Sequence, residues 1–229
     1  MDTGYVANTT AVRYRLDCAM RLDLFPLNTV LFPGMRLPLH IFEPRYRAML
    51  GRCIETESVF GVVLIAEGEE VGPAAIPYRI GTTARVEKVE YLPDGRFNLL
   101  AVGETRFRIE RIVAEEPHVV GEVDLAPMQT DATESTLQGA EDVRERFERL
   151  VTLMIEIQAG YMPEFELPTD PLQLAYLIAA GVPTGPGSAQ RLLEADSLAD
   201  LLALECELLD LRIAQALRRL QEKLDARRN

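Results

Sequence analysis

The chain changes character near residue 126, and this change constrains its fold more than any other feature. Before it, short apolar runs rich in Val, Ile and Phe are divided by Gly, Pro and Asp turn signals, the pattern of strands. After it, Leu, Ala, Glu and Arg recur at helical spacing. A strand layer followed by a helix layer predicts an α+β fold. The expected divisions are an N-terminal extension over 1–20, a β subdomain over 21–125 and a helical subdomain over 126–229.

Within the β part, Leu22 to Leu27 alternates and then meets a turn at Asn28, and Pro33-Gly34 forms a second turn of type II chemistry. Met35 to Phe42 is predicted as an edge strand because it contains Pro38. Pro44 opens a helix whose buried stripe is Tyr46, Met49, Leu50 and Cys53. Val59 to Ala66 reads as a central strand. Ile80 to Tyr91 and Arg96 to Val102 flank the Pro93-Asp94-Gly95 hairpin signal, and two more strands follow around Phe107 and Val119. Six or seven short strands with one helix suggest a small twisted barrel or sandwich. In residues 1–20, Tyr5, Val6, Val12, Tyr14 and Leu16 form either an extra strand or part of a flexible tail.

Four helices are predicted in the second half. The first covers 133–158, and the second is capped by Asp170 with Pro171 at its first position. A short one starts at Ser188. The last runs from a Ser197–Asp200 capping box to about Arg227, roughly 46 Å at 1.5 Å per residue. Its stripe of Leu209, Ile213, Ala216, Leu220 and Leu224 needs a cover, either the sheet layer or a partner.

Charge is unevenly spread. The chain has 36 acidic and 24 basic side chains, net −12, which disfavours a general nucleic-acid binder. Residues 1–125 are net −4, residues 126–210 net −12, and residues 211–229 net +4. The basic end of the last helix suits its dipole and is also a candidate docking patch. The three cysteines, Cys18, Cys53 and Cys206, are scattered, and so read as reduced thiols in a cytoplasmic protein. No signal peptide or membrane span is evident.

Motifs for chemistry are missing. Only two lysines exist, Lys88 and Lys223, and no glycine precedes either, so a P-loop is absent. None of the four serines lies in GxSxG, and Ser–Lys chemistry would have to recruit one of those two lysines. His40 and His118 lie outside any metal-binding spacing. The expectation is therefore no enzyme, no cofactor and no metal site.

The segment Leu24-Phe25-Pro26-Leu27-Asn28-Thr29-Val30-Leu31-Phe32-Pro33-Gly34-Met35-Arg36-Leu37-Pro38-Leu39 resembles the opening of the N-terminal domain of Lon proteases. Its continuation, Ile41 to Arg47, resembles the free-standing bacterial members. Gly81-Thr82-Thr83-Ala84, Gly103-Glu104-Thr105-Arg106-Phe107, Asp170 to Ala175 and Arg191 to Glu194 extend the likeness. It implies a PUA-like β-barrel followed by a helical bundle, and substrate recognition without the ATPase or protease domains. A peptidase label would then record ancestry alone.

Pro26, Pro33, Gly34, Pro38 and Gly81 sit at motif positions that turns and sheet edges already explain. The polar or amphipathic matches are Glu43, Arg45, Tyr46 and Arg106. They form either an internal pair, such as Glu43 with Arg106, or a rim around an apolar groove exposing Phe32, Met35 and Phe42. The primary expectation is a module that binds unfolded polypeptide or a protein partner in connection with proteolysis. The alternatives are an RNA-binding PUA-like protein and a small-molecule enzyme with a cleft between barrel and bundle.

Overall fold

A computed structural model describes residues 20–72, 75–131, 133–158 and 166–228. The strand considered for Tyr5 to Leu16 lies outside them. Six strands are present: β1 (Met20–Leu27), β2 (Arg36–Ile41), β3 (Phe60–Glu67), β4 (Ile76–Tyr91), β5 (Phe97–Ala114) and β6 (Val120–Leu125). The helices are α1 (Pro44–Thr56), α2 (Glu134–Gln158), α3 (Pro171–Gly181), α4 (Pro186–Leu193) and α5 (Leu198–Arg228).

The strands form one mixed sheet in the order β2-β5-β4-β3-β1-β6, and β5 also pairs with β6. Hydrogen-bonded neighbours therefore run in a ring from β5 through β4, β3, β1 and β6 back to β5. Only β1 and β3 are parallel, and β2 with α1 makes the crossover that a parallel pair requires. β5 closes the ring because it is 18 residues long. Its first third pairs with β2, and its later part pairs with β6. The sequence reading split this strand at Gly103. The strand in fact continues through it, and register shifts in its pairing with β4 and β6 bend the ladders instead.

Local chemistry explains the turns. Met35 N–H donates to the Phe32 carbonyl at 3.0 Å, and Gly34 has φ +80°, which is a type II turn with Pro33 and Gly34 at its centre. Gly95, at φ +79°, turns the β4–β5 hairpin, where Asp94 accepts from the Arg96 backbone N–H at 3.1 Å. Asp170 Oδ1 accepts from Gln173 N–H at 2.8 Å, and Pro171 takes the first helical position of α3.

Two sheet-side cores cover the faces of the ring. One packs the Tyr46–Met49–Leu50–Cys53 stripe of α1 against β-strand residues such as Phe60 and Phe97. The other gathers Leu22, Leu24, Val63, Phe107 and Ile109. A third and larger core joins the layers: Val30, Phe32, Leu64 and Ile80 pack with apolar side chains of the helices. α2 and α5 run parallel, as shown by the Arg146–Asp210 pair at 3.0 Å and the bond from Lys223 Nζ to the Ile157 carbonyl further along. Leu209, Ile213 and Ala216 of the α5 stripe are thus covered by α2 and need neither the sheet nor a partner, whereas Leu224 at its far end stays 45% exposed.

Candidate functional site

Where the sheet meets the helices there is an open cleft of about 850 Å³. The Pro33-Gly34-Met35 turn, the Glu104–Arg106 stretch of β5, the Pro127–Thr130 connector and one side of α3 line it. Each wall is held by a specific contact. The turn lies on Gly103, whose N–H donates to the Met35 carbonyl at 3.0 Å and whose carbonyl accepts from Gly34 N–H at 2.8 Å. A Cβ at residue 103 would meet the Phe32 carbonyl oxygen at 2.4 Å, so only glycine permits this approach.

Arg106 holds the opposite wall. Its Nη1 donates to the Ala195 carbonyl at 2.6 Å and the Leu193 carbonyl at 2.9 Å, oxygens left free where α4 ends. Nη1 also touches Met128 Sδ at 3.6 Å, and Nε donates to the Ala126 carbonyl at 3.1 Å. The residue is 6% exposed. Burial pulls its pKa down from the ordinary arginine value, while Tyr176 and Asp196 act in the other direction. Tyr176 faces the cleft from α3, packs beside Phe32 with ring centroids 6.4 Å apart, and has its hydroxyl pKa raised by burial.

The lining is mainly apolar: Met35, Met128, Leu172, Tyr176 and Leu177 contribute side chains, and Leu177 is 42% exposed. The charges at the rim neutralise each other. Arg36 forks onto Glu87 at 2.9 and 3.2 Å and holds its carboxyl below the usual range, and Arg85 pairs with Glu104 at 3.0 Å.

The residues singled out from sequence divide between places. Met35 lines the cleft, part-buried, and Arg106 is a buried residue of the opposite wall. Phe32 is buried beneath it, so it supports the site from the core and offers no surface. Phe42 is exposed and, with Glu43, borders a separate groove of about 270 Å³ beside β2. The expected Glu43–Arg106 pair does not form. Glu43 pairs with Arg45 at 2.9 Å, Arg45 stacks over the Tyr46 ring at 4.6 Å, and Tyr46 is buried edge-on against Phe25. Arg106 reaches backbone carbonyls instead because the ends of α4 and the connector converge on it. Sequence reasoning missed Met128, Leu172, Tyr176 and Leu177. For the three on α3 the Asp170-to-Ala175 motif was the only signal, and it marked the start of the helix without showing which side faces the sheet; Met128 had none.

His40 is exposed with Nδ1 2.7 Å from Asn98 Oδ1, and His118 is buried with Nε2 3.0 Å from Asp23 Oδ1. Among the described residues no three His, Cys, Asp or Glu side chains gather as a metal site. No helix among them is long and apolar enough to cross a membrane.

Comparison with known proteins places this geometry. The ATP-dependent protease La (LON) substrate-binding domain model matches residues 21–210. Lon protease 2 of Myxococcus xanthus is 30% identical over 213 residues, covering 92% of this chain and 26% of that protein. Lon protease of Amoebophilus asiaticus is 30% identical over 202 residues, covering 85% of this chain and 24% of that one. This chain therefore spans about a quarter of the length of these relatives. Among solved structures, a Lon N-terminal domain protein from Xanthomonas campestris aligns with TM-score 0.57 and 27% identity over 80% of this chain and 95% of that chain. The N-terminal domain of Mycobacterium avium complex Lon protease aligns with TM-score 0.59 over 83% and 98%, and at 18% identity it supports the fold alone.

Proposed function

The chain belongs to the ATP-dependent protease La (LON) substrate-binding domain family, and on that premise we propose that it is a non-catalytic recognition module for unfolded polypeptide, serving proteolysis in the cytoplasm. The strand ring is, in this proposal, the PUA-like barrel of the family, and the helices after residue 126 are the second half of a two-part clamp.

The observation that carries the proposal is the apolar cleft between the two layers. Its volume, about 850 Å³, falls in the range of clefts that bury a ligand. Folded proteins bury their apolar side chains, so a site that rewards apolar contact selects segments that have lost their own core. Leu177 and Met35 present such surface from opposite walls. Rim charges already paired with each other add little attraction of their own and leave sequence preference broad. Nucleic acid fits less well, because the net charge of −12 repels phosphate.

Binding of reduced, carbamidomethylated α-lactalbumin, followed by fluorescence anisotropy, tests this. The wild-type chain binds it, and Leu177→Asp weakens binding about tenfold or more, roughly 1.4 kcal/mol, without altering the fold. Equal binding by the two proteins would place recognition elsewhere on the surface.

A further inference from the structure

Arg106 carries a positive charge that no ion pair answers, although Asp196 acts on it from a greater distance. A guanidinium has five N–H donors. Nε is used by Ala126, and Nη1 serves Leu193, Ala195 and Met128. All of these partners are neutral. Among the described residues no carboxylate lies within ion-pair distance of Arg106, Nη2 has no hydrogen-bond partner, and Arg106 is one of the residues lining the cleft. The other two charged residues of the lining, Arg36 and Glu104, are each occupied by a neighbour of opposite sign. The Tyr176 hydroxyl is a second donor: it belongs to a residue lining the same cleft and has no hydrogen-bond partner among the described residues. A buried cation and a hydroxyl, both with donors to spare in an apolar site, are complementary to an anion with two oxygens.

Resting on the cleft as the polypeptide site, we propose that Arg106 Nη2 and the Tyr176 hydroxyl seat the free α-carboxylate of a polypeptide C-terminus whose last side chains are apolar. The neighbours of the seat decide the occupant. An internal Asp or Glu would also bring a carboxylate, but two backbone arms would then have to run across Met35, Met128, Leu172 and Leu177, which offer almost nothing to their amides and carbonyls. A chain end delivers the carboxylate on a single arm and leaves the apolar walls to its side chains. The cleft thus favours protein ends over interior segments.

The test uses four labelled peptides with one common apolar sequence: a free acid ending in Val-Leu, its C-terminal amide, the amide with an internal Asp, and the free acid extended by Gly-Ser. The free Val-Leu acid should bind the full chain at least tenfold more tightly than the other three. Tyr176→Phe keeps the ring against Phe32 and should bring the acid-to-amide ratio down severalfold while leaving amide binding in place. Arg106→Lys, checked for folding by circular dichroism because Arg106 also holds α4, should reduce the same ratio. Equal affinity of acid and amide for the wild-type chain, or equal affinity of the Asp-containing amide, overturns the carboxylate seat. If both forms are then equally weakened by Leu177→Asp, the cleft still binds polypeptide and only the seat is lost. If no peptide and no unfolded protein binds, the proposed function falls with it.

Discussion

A single methyl group at residue 103 would collide with the Phe32 carbonyl, and one at residue 81 with the Val62 carbonyl at 2.6 Å and the Phe107 ring at 2.7 Å. Both glycines belong to motifs legible in the sequence, but the sequence could not show that their role is close approach and not a turn. Arg106 was harder still. Its carbonyl partners lie 87 and 89 residues away, and a carbonyl carries no side-chain signature, so a search for an acidic partner led to Glu43. Glu205 gave no signal at all. It lies on α5 with no exposure, and neither carboxyl oxygen has a hydrogen-bond partner. Burial pushes its pKa well above the ordinary 4.5, and the nearby Ala179 amide, already part of α3, offsets this only in part. The folded state therefore keeps a proton that the unfolded state releases. Stability from this group is complete below about pH 4.5 and is lost as pH rises toward the folded pKa. Glu205→Leu should stabilise the chain at pH 8 by about 1–3 kcal/mol, since an unsatisfied buried polar group is removed. Urea denaturation at pH 5 and pH 8 checks this, and the gain should be smaller at pH 5. A gain independent of pH would mean that Glu205 does not change protonation on folding.

At the level of elements, helix starts were legible because their chemistry is local. Asp170 and Ser197 cap α3 and α5 as their sequences indicate, and Ser197 Oγ accepts from Asp200 N–H at 3.2 Å while donating to Asp200 Oδ2 at 2.6 Å. Replacing Ser197 with Ala should cost about 1 kcal/mol, the usual value of such a cap. Arg146→Ala, which removes a partly exposed pair with Asp210 and a bond within α2 to the Asp142 carbonyl, should cost less than about 0.5 kcal/mol. Denaturant midpoints of the two variants give the comparison, and a larger loss for Arg146 would assign it a role in aligning α2 with α5. What covers each helix was not legible. Periodicity showed that α5 has an apolar stripe over Leu209, Ile213 and Ala216, but the cover, α2, lies more than fifty residues earlier in the chain. The parallel α2–α5 pair also depends on α3 and α4 serving as the crossover, and that is a property of three elements together. The continuity of β5 through Gly103 was missed for a related reason. A glycine and a run of polar residues look like a loop until the turn that packs on them is known.

For the whole molecule, the change near residue 126 marks a change of secondary structure more clearly than a change of folding unit. The sheet is close to neutral on balance, and the charge of −12 is carried by residues 126–210, yet the two layers share their largest core. Val30, Phe32, Leu64 and Ile80 are buried from the sheet side against the helices. At about 1.5–3 kcal/mol for each buried side chain, these four contribute roughly 6–12 kcal/mol. The whole stability of a domain is about 5–15 kcal/mol, so the sheet loses most of its margin if the helices are removed. Arg106 and the Gln190 amide, which donates to the Ile80 carbonyl at 3.1 Å, add polar ties across the same seam. Unfolding should therefore be one cooperative transition. The chain has seven tyrosines and no tryptophan; of the described ones Tyr46, Tyr78 and Tyr91 lie on the sheet side and Tyr176 on α3, so tyrosine fluorescence weights the sheet side, while far-ultraviolet circular dichroism is dominated by the helices. The two signals should change at the same denaturant concentration. A fragment of residues 21–125 should show no cooperative transition of its own. Separate midpoints, or a stable fragment, would mean that the layers fold independently, and the cleft between them would then have no fixed width.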